Sequence, residues 1–365
     1  MKKTIAVIPG DGIGPEVMEQ ALRVLDAVGK SYGHDFQLMH GVAGGAAYDK
    51  YGAHMPAETL ELCRNSDAIL FGSVGGPVSE QHVPKWKNCE ANSILALRKE
   101  FKFHANMRPV FLLSELAEMC PLRADIVKNG IDIVFIRELL GDAYFGEKGS
   151  KTIDGRRAAF DVSTYTEEQV AKVAHTAFRF SRGRKKKVTS VDKANVLDAS
   201  KLWRTVVHEV AKEYPDVEVV DMLVDNAAMQ IIRDPGQFDV VVTTNMFGDI
   251  LTDEAAVLAG SLGLLASASF ADGTFGLYEP SGGSAPDIAG QEIANPIAQI
   301  LCLAYMFRMS FDLPDEAKAV EEAVYDTLRA GYRTRDIATK TGKVVGTREF
   351  TDALLSHIKL PQGAK

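Results

Sequence analysis

Short apolar stretches alternate along the chain with longer stretches in which apolar residues recur every three or four positions. The short stretches predict buried β-strands, and the periodic ones predict amphipathic helices. This alternation is typical of an α/β protein built around a parallel sheet. The strands predicted in this way cover residues 5–8, 68–71, 131–136, 188–191, 217–220 and 238–243.

A glycine-rich turn follows the first predicted strand, and residues 10–16 read Gly-Asp-Gly-Ile-Gly-Pro-Glu. Pro15 fits the first turn of a helix, and apolar residues then recur at helical spacing up to Val28. A later helix is predicted over residues 200–213. The turn is not a G-x-G-x-x-G fingerprint, because Pro15 and Glu16 follow Gly14 directly. By itself it is equally consistent with a purely structural turn and with a turn beside a ligand.

Two segments interrupt the alternation of strands and helices. Residues 141–165 are rich in Gly, Lys, Arg and Thr, which predicts an extended hairpin or arm. Elements of this kind often pair with a second subunit. Residues 273–296 hold many Gly, Ser, Ala and Pro residues, and we expect a long ordered loop there.

Length and composition narrow the class of protein. A chain of 365 residues is too long to fold around one simple hydrophobic core, so two lobes are expected. The net charge of −8 argues against a nucleic-acid partner, since binding phosphate backbones needs clustered positive charge. The four cysteines lie far apart without a C-x-x-C pair, which predicts free thiols rather than disulfides or a zinc site. No apolar window approaches a membrane-spanning length, and we expect a cytoplasmic protein.

Three arginines lie beside apolar stretches: Arg98, Arg108 and Arg137. Arg137 ends the predicted strand at 131–136, where an unpaired guanidinium would be costly to bury. Arginines at strand ends are suited to bidentate binding of carboxylates. For any one of them alone, an unrelated surface arginine is the simpler interpretation.

Acidic residues form the next candidate site. Asp249 and Asp253 are four positions apart in a predicted helix, which places them on one face. A divalent cation with oxygen ligands would relieve the repulsion between them. Asp225 ends another apolar stretch and could supply a third carboxylate. The alternative is that Asp249 caps the helix while Asp253 faces solvent.

A candidate acid and a candidate base complete the set. Lys193 follows a predicted strand, and beside metal and arginine charges it could serve as a general base. Tyr144 could be the complementary acid. Taken singly, Lys193 is interpreted as an exposed lysine and Tyr144 as a core ring with its hydroxyl at the rim. The sequence contains no H-E-x-x-H pair, G-x-S-x-G elbow or Walker A loop.

Taken together, these motifs resemble the β-decarboxylating dehydrogenases, the isocitrate/isopropylmalate dehydrogenase family. The resemblance extends from residues 8–16 to residues 283–290 and Asn295, nearly the whole chain. It implies a two-lobed α/β fold of that family, which is not a classical Rossmann domain. The implied cofactor-binding lobe comprises residues 1–106 and 260–365. The implied metal-binding and dimerisation lobe comprises residues 107–259, with an arm near 141–165.

The resemblance also implies a role for each candidate residue. Tyr144 and Lys193 match the acid–base pair, and the three arginines match those that hold the substrate carboxylates. The residues that match ligands of Mg²⁺ or Mn²⁺ are Asp225, Asp249 and Asp253, of which Asp225 also lies beside the substrate. In the family Lys193 and Asp225 would reach the site from the partner subunit, so a homodimer is implied.

The cofactor implied by the resemblance is NAD. The residues that match its binding site are Ile13, Gly75, Gly76, Glu90, Gly283, Ser284, Ala285, Pro286, Asp287, Ile288, Ala289, Gly290 and Asn295. Asp287 would favour NAD over NADP, because a carboxylate accepts hydrogen bonds from ribose hydroxyls and repels a 2′-phosphate.

The implied substrate pocket contains Ile94 and Leu95, one helical turn before Arg98. Two aliphatic residues suit an isopropyl group, whose burial is worth roughly 2 kcal/mol. The expected reaction is NAD-dependent oxidative decarboxylation of (2R,3S)-3-isopropylmalate to 4-methyl-2-oxopentanoate, a step of leucine biosynthesis. The alternative substrates are D-malate and tartrate. A catalytically silent regulatory subunit is disfavoured, because no member of the catalytic set is missing.

Overall fold

A computed structural model describes residues 1–359. Its strands are β1 (Lys2–Gly10), β2 (Asp35–His40), β3 (Ala68–Ser73), β4 (Ala105–Phe111), β5 (Asp132–Glu138), β6 (Lys148–Ile153), β7 (Arg156–Asp161), β8 (Lys187–Asp192), β9 (Glu218–Leu223), β10 (Val240–Thr243), β11 (Ala266–Phe270), β12 (Gly276–Pro280), β13 (Tyr332–Arg333) and β14 (Lys343–Val344). Its α-helices are α1 (Gly14–Tyr32), α2 (Gly44–Tyr51), α3 (Ala57–Arg64), α4 (Ile94–Glu100), α5 (Ala124–Val127), α6 (Glu167–Arg182), α7 (Asp198–Ala211), α8 (Val224–Arg233), α9 (Asn245–Ala259), α10 (Ile297–Met309), α11 (Pro314–Arg329) and α12 (Thr347–His357). Short 3₁₀ helices lie at Val78–Glu80, Ser114–Met119, Pro235–Gln237, Leu262–Leu264 and Arg335–Ile337.

The chain divides into two compact units. Unit 1 contains Met1–Phe101, Glu115–Met119 and the described part of Gly260–Lys365. Unit 2 contains Lys102–Ser114 and Cys120–Ala259. The first boundary of unit 1 therefore lies at Phe101, before β4.

Unit 1 is built on five strands in the order β2-β1-β3-β12-β11. β1 pairs in parallel with β2 and β3, β12 pairs in parallel with β3, and β11 is antiparallel to β12. Every residue of β3 is buried, as expected for a strand covered on both faces. The helices α1, α10, α11 and α12 pack together around this sheet.

Unit 2 is built on five strands in the order β4-β5-β10-β8-β9. β4 is antiparallel to β5, and the remaining pairs are parallel. The carboxyl ends of β5, β10, β8 and β9 therefore meet at one edge of the sheet, where ligands bind in open α/β folds. Arg137, Asn245, Lys193 and Asp225 lie at these strand ends. Sequence-distant candidates are thus brought to one edge of unit 2.

The strands and the helix predicted from the hydrophobic pattern are confirmed, with their ends shifted by a few residues. The prediction of a loop over residues 273–296 is wrong at its start, because β12 occupies Gly276–Pro280. This strand has no β-branched residue, begins with glycine and ends with proline, so its sequence gives only a weak strand signal. Its pairing with β3 and β11, which buries Leu277 and Tyr278, stabilises it instead.

The predicted arm contains an antiparallel hairpin of β6 and β7. All of β6 and most of β7 are exposed in the single chain. Pairing of this hairpin with a second subunit stays a prediction.

The four cysteines are free and buried. Burial raises the pKa of the Cys63 and Cys89 thiols to about 12, which keeps both protonated and unreactive at neutral pH. Across residues 1–359, no helix combines the length and apolarity needed to cross a bilayer.

A buried carboxylate closes the turn after β5. Glu138 is fully buried, and its two carboxylate oxygens accept the backbone N–H groups of Leu140 at 2.6 Å and Gly141 at 2.8 Å. Burial raises the pKa of Glu138 to about 7, and the two backbone N–H groups oppose this effect only in part. The folded state therefore binds a proton here more tightly than the unfolded chain does.

We expect Glu138→Gln to flatten the dependence of stability on pH. Because the folded pKa is raised, the wild type loses unfolding free energy as pH rises from the ordinary value of 4.5 toward about 7. An amide does not ionise, so the variant does not lose unfolding free energy in this way. Relative to wild type, its unfolding free energy should rise by about 2 kcal/mol between pH 5 and pH 8. Urea unfolding at both pH values measures this change. The exposed Glu213→Gln is the control, and parallel curves for Glu138→Gln and wild type would contradict the expectation.

Candidate functional site

Asp249 is the centre of a cluster of polar side chains in unit 2. The Tyr144 hydroxyl donates a hydrogen bond to Asp249 Oδ2 at 2.8 Å, and Arg137 Nη1 donates to Oδ1. Arg108 Nη1 lies 3.6 Å from the same Oδ1 atom. One carboxylate from α9 therefore joins a phenol and two guanidinium groups.

Arg137 is held rigidly beneath this carboxylate. It is 1% exposed, and its Nε and Nη2 atoms donate to Asn245 Oδ1 at 3.0 and 2.8 Å. Its guanidinium carbon lies 5.7 Å from the centre of the Tyr144 ring, a cation–π contact. Fixing the guanidinium from two sides leaves its orientation little freedom.

Arg108 extends from β4 beside the same helix. Its Nε donates to Asn106 Oδ1 at 2.7 Å and its Nη1 to Thr252 Oγ1 at 2.8 Å. Its Nη1 atom also lies 3.8 Å from Asp253 Oδ1. The interpretation of the three arginines as unrelated surface residues is wrong, because Arg98, Arg108 and Arg137 are each at most 6% exposed.

The two aspartates of α9 lie on one face, as their spacing predicts. Since α9 begins at Asn245, Asp249 is in the second turn, and the alternative in which it caps the helix is wrong. The Asp253 side chain is 62% exposed. Partial desolvation raises the pKa of Asp253, Arg108 opposes the rise, and the charge of Asp249 adds to it. Two carboxylates one turn apart, both open to solvent in part, are a donor set suited to Mg²⁺ or Mn²⁺.

Tyr144 is half-buried, and its hydroxyl is fixed by Asp249. Burial, the hydrogen bond to Asp249 and the charge of that carboxylate together raise the pKa of Tyr144 to about 12. The phenol is therefore protonated throughout the physiological range. Its geometry and protonation state suit a proton donor.

Lys193 and Asp225 form a separate ion pair in unit 2. Lys193 directly follows β8, Asp225 lies in the first turn of α8, and Nζ donates to Asp225 Oδ1 at 2.5 Å. The hydrogen bond from Lys193 lowers the pKa of Asp225. Within residues 1–359 of one chain, no three His, Cys, Asp or Glu side chains are grouped to hold a metal. One chain thus brings together two of the three predicted metal ligands.

Arg98 belongs to unit 1, where α4 positions it. Its Nη2 atom donates to Glu279 Oε1 at 3.0 Å, and this ion pair is buried. Its Nε atom is buried and, among the described residues, has no hydrogen-bond partner. A donor left in this state suits an incoming carboxylate. Ile94 and Leu95 lie one turn earlier on α4, Ile94 buried and Leu95 partly exposed.

A cavity of about 570 Å³ lies within unit 1, and most of its lining is apolar. The predicted cofactor residues that line it are Ile13, Gly283, Ala285, Ile288 and Asn295. Gln299 also lines it, and its buried Oε1 atom has no hydrogen-bond partner within residues 1–359. A large apolar cavity with few polar groups fits an adenosine moiety.

The glycine-rich turn and the loop after β12 are joined beside this cavity. The backbone N–H of Ile13 donates to the Ser284 carbonyl at 2.8 Å, and Ser284 Oγ donates to the Gly75 carbonyl at 2.8 Å. Asp11 is buried, and its carboxylate accepts the backbone N–H groups of Gly45, Ala46 and Gly75. The turn after β1 is therefore part of the wall around this site.

Other predicted cofactor residues do not line this cavity: Gly75, Gly76, Glu90, Ser284, Pro286, Asp287, Ala289 and Gly290. Asp287 is exposed and directly precedes Ile288, which does line it. Several lining residues were missed from the sequence, among them Leu262, Gly263, Arg335 and Asp336. Asp336 accepts hydrogen bonds from Ser261 and Asn295, which fixes it beside the predicted loop. The only local signal was the glycine-rich turn at residues 260–263.

Comparison with known proteins places this geometry in a family. The model of the isocitrate/isopropylmalate dehydrogenase family matches residues 4–354. The chain belongs to this family. A protein of Desulfotalea psychrophila named 3-isopropylmalate dehydrogenase is 54% identical to it, over 98% of this chain and 100% of that one. A 3-isopropylmalate dehydrogenase of Clostridium acetobutylicum is 50% identical, over 97% and 99%.

A solved structure extends the likeness to the fold. The crystal structure of isocitrate dehydrogenase from Methylococcus capsulatus superimposes with a TM-score of 0.85 at 34% identity. The match covers 98% of this chain and 99% of that one. The family and the α/β fold predicted from the sequence motifs are therefore confirmed.

We expect Gly12→Ala to destabilise the chain far more than Gly33→Ala. Both glycines have left-handed backbones, with φ of 57° and 70°, so alanine costs about 1 kcal/mol at either position. A Cβ atom at Gly12 would also lie 1.9 Å from the Ser284 carbonyl oxygen, whereas nothing lies within 4 Å at Gly33. We expect an additional loss of about 1–3 kcal/mol for Gly12→Ala. Urea unfolding of both variants tests this, and equal losses would show that the turn does not dock on Ser284.

Proposed function

We propose that this chain oxidises (2R,3S)-3-isopropylmalate with NAD and decarboxylates it to 4-methyl-2-oxopentanoate, a step of leucine biosynthesis. The observation that carries the proposal is the contact of Asp249 with Tyr144, Arg137 and Arg108. In the proposed reaction these groups would serve as a proton donor, two carboxylate-binding cations and a metal-binding carboxylate. The relatives named 3-isopropylmalate dehydrogenase, at 50% and 54% identity over nearly the whole chain, support the choice of substrate.

The arginines bind the two carboxylates of the substrate. Arg108 and Arg137 present guanidinium groups whose other N–H groups are held by Asn106, Thr252 and Asn245. A guanidinium fixed in this way binds a carboxylate with little further loss of side-chain entropy. Arg98 adds the buried Nε donor that has no partner within the described chain.

The metal ligands are Asp249 and Asp253, with Asp225 as the third. Carboxylate oxygens are the donors that Mg²⁺ and Mn²⁺ prefer. The cavity of unit 1 would hold NAD, and Asp287, which directly precedes the lining residue Ile288, would accept hydrogen bonds from the hydroxyls of the adenosine ribose. When bound, NAD supplies the hydride acceptor for C2, and the divalent cation supplies the Lewis acid that a β-decarboxylation requires.

Lys193 in its neutral form accepts the proton of the C2 hydroxyl, either directly or relayed through Asp225. In the isolated chain Lys193 is the charged donor of a 2.5 Å hydrogen bond to Asp225, so it gives up a proton before it acts as the base. Oxidation at C2 gives a β-keto acid, and the carboxylate beside its C3 leaves as carbon dioxide. Tyr144 then donates its phenolic proton to C3, which completes the product.

The active form in this proposal is a cytoplasmic homodimer. Large apolar side chains are exposed on α8 and α9, which pack against each other: Met229, Ile232, Ile250 and Val257. An exposed apolar patch of this kind favours burial against a second copy. Within residues 1–359 of one chain, Asp249 and Asp253 are not joined by a third carboxylate. In this proposal the partner subunit supplies the third one, Asp225, together with Lys193.

We expect NADH formation from 3-isopropylmalate that depends on added Mn²⁺ or Mg²⁺ and stops with EDTA. Because burial of the isopropyl group is worth roughly 2 kcal/mol, kcat/KM should exceed that for D-malate or tartrate by more than about tenfold. Leu95→Ala should reduce kcat/KM for 3-isopropylmalate more than for D-malate. A wild-type preference for D-malate or tartrate would overturn the assigned substrate but keep the reaction class.

We expect the inactive variant Lys193→Met and the strongly impaired variant Tyr144→Phe to restore activity when they are mixed and refolded together. If each site takes Tyr144 from one subunit and Lys193 from the other, a heterodimer has one intact site. Random pairing then recovers about a quarter of wild-type activity. A Lys193→Met chain mixed with the double variant is the control and should stay inactive. No recovery in the first mixture would place both residues of a site in one chain.

A further inference from the structure

Asp142 has an unusual backbone in the turn between β5 and the hairpin arm. Its φ of 69° lies in the left-handed region, which costs roughly 1–2 kcal/mol for a residue with a Cβ atom. Its side chain is only 3% exposed. A buried carboxylate in a strained backbone persists only where its surroundings compensate for both costs.

The compensation is a set of four hydrogen bonds to the Asp142 carboxylate. Oδ1 accepts the backbone N–H of Ala143 at 2.9 Å and the hydroxyl of Ser163 at 2.7 Å. Oδ2 accepts the hydroxyl of Tyr165 and the backbone N–H of Met246, each at 3.1 Å. One side chain therefore joins the turn after β5, the end of the arm and the start of α9.

Tyr165 extends this connection to the first residue of α9. Its hydroxyl accepts the backbone N–H of Asn245 at 2.8 Å while it donates to Asp142. The first N–H groups of a helix have no acceptor within the helix itself. Asp142 and Tyr165 supply those acceptors for α9, and the edge of the Trp203 ring packs against the Tyr165 ring.

The joined segments also carry the proposed catalytic groups. Tyr144 follows Asp142 by two residues, and Asp249, which accepts its hydroxyl, lies one turn after the Asn245–Met246 start of α9. The Asn245 side chain donates to the Gly141 carbonyl at 3.1 Å and accepts from Arg137. The distance between the phenol and Asp249 thus depends on how the turn is fixed to the helix.

We propose that Asp142 is a positioning residue that holds Tyr144 against Asp249 by clamping the turn and the arm to the start of α9. The inference rests on the proposed function, in which Tyr144 is the proton donor. Asp142 itself touches neither substrate nor cofactor in this proposal. It acts only through the placement of Tyr144.

The test is the effect of Asp142→Asn in the wild-type and Tyr144→Phe backgrounds. Asparagine tolerates a left-handed backbone. Its amide N–H₂ is a donor, however, so it cannot accept the hydrogen bonds that one carboxylate oxygen of Asp142 accepts. We expect kcat to fall by at least about tenfold, because misplacement by an ångström is enough for such losses, while KM for NAD stays unchanged. In the Tyr144→Phe background the same substitution should change kcat less than about twofold.

Asp312→Asn is the matched control. Asp312 also has a left-handed backbone, with φ of 53°, but it is exposed and lies in unit 1. We expect wild-type kcat from this variant. Wild-type kcat from Asp142→Asn, or an equal loss in both backgrounds, would overturn the positioning role. Tyr165→Phe, which removes the hydrogen bonds of the Tyr165 hydroxyl to Asp142 and to the Asn245 N–H, provides the same comparison if Asp142→Asn does not fold.

Hydrogen exchange separates this inference from the proposed function. In Asp142→Asn, peptides that contain residues 141–147 and 244–249 should exchange faster than in wild type, and in Asp312→Asn they should not. A wild-type chain without turnover of 3-isopropylmalate refutes the proposed function, and the exchange comparison still decides whether the clamp exists. Unchanged hydrogen exchange at residues 244–249 in Asp142→Asn would show that Asp142 does not clamp the turn to α9.

Discussion

The buried positive charge of Arg137 is the constraint on which the site of unit 2 depends. A guanidinium cannot lose its charge at any physiological pH, and leaving it unpaired in a protein interior costs several kcal/mol. Asn245 satisfies two of its nitrogen atoms, and Asp249 supplies the opposite charge. The start of α9 and its second turn are therefore fixed relative to the end of β5. The hydroxyl of Tyr144 is held in position by a hydrogen bond to the same Asp249 carboxylate.

Parallel strand topology explains why residues so distant in sequence share one edge. β5, β10, β8 and β9 run in the same direction, so the segment after each begins at the same side of the sheet. Arg137, Lys193 and Asp225 owe their positions to this rule, not to local sequence. Arg108 is an exception, because β4 runs antiparallel and presents its guanidinium from the middle of the strand. Asn106 and Thr252 fix the direction of that guanidinium.

Sequence reasoning succeeded where the signal is local. The spacing of Asp249 and Asp253 predicts one helix face, and the position of Lys193 after an apolar stretch predicts the end of a strand. It did not predict Asp336, because its place beside the cavity depends on Ser261 and Asn295, more than forty positions away. Asp142 was missed for the same reason, since three of its four donors lie more than twenty residues along the chain. Such roles arise from long-range contacts that no sequence window contains.

The pairing of Lys193 with Asp225 bears on how a third carboxylate would join the two proposed metal ligands of α9. Asp249 and Asp253 already repel each other, and a lone Asp225 brought beside them would add a third like charge. Lys193 and Asp225 together carry no net charge, so the pair approaches the cluster without that additional repulsion. In the proposed function, binding of a cation by Asp225 would separate this carboxylate from Lys193 and leave the lysine beside the substrate hydroxyl. The ion pair in the isolated chain would thus keep Lys193 next to the ligand that it accompanies.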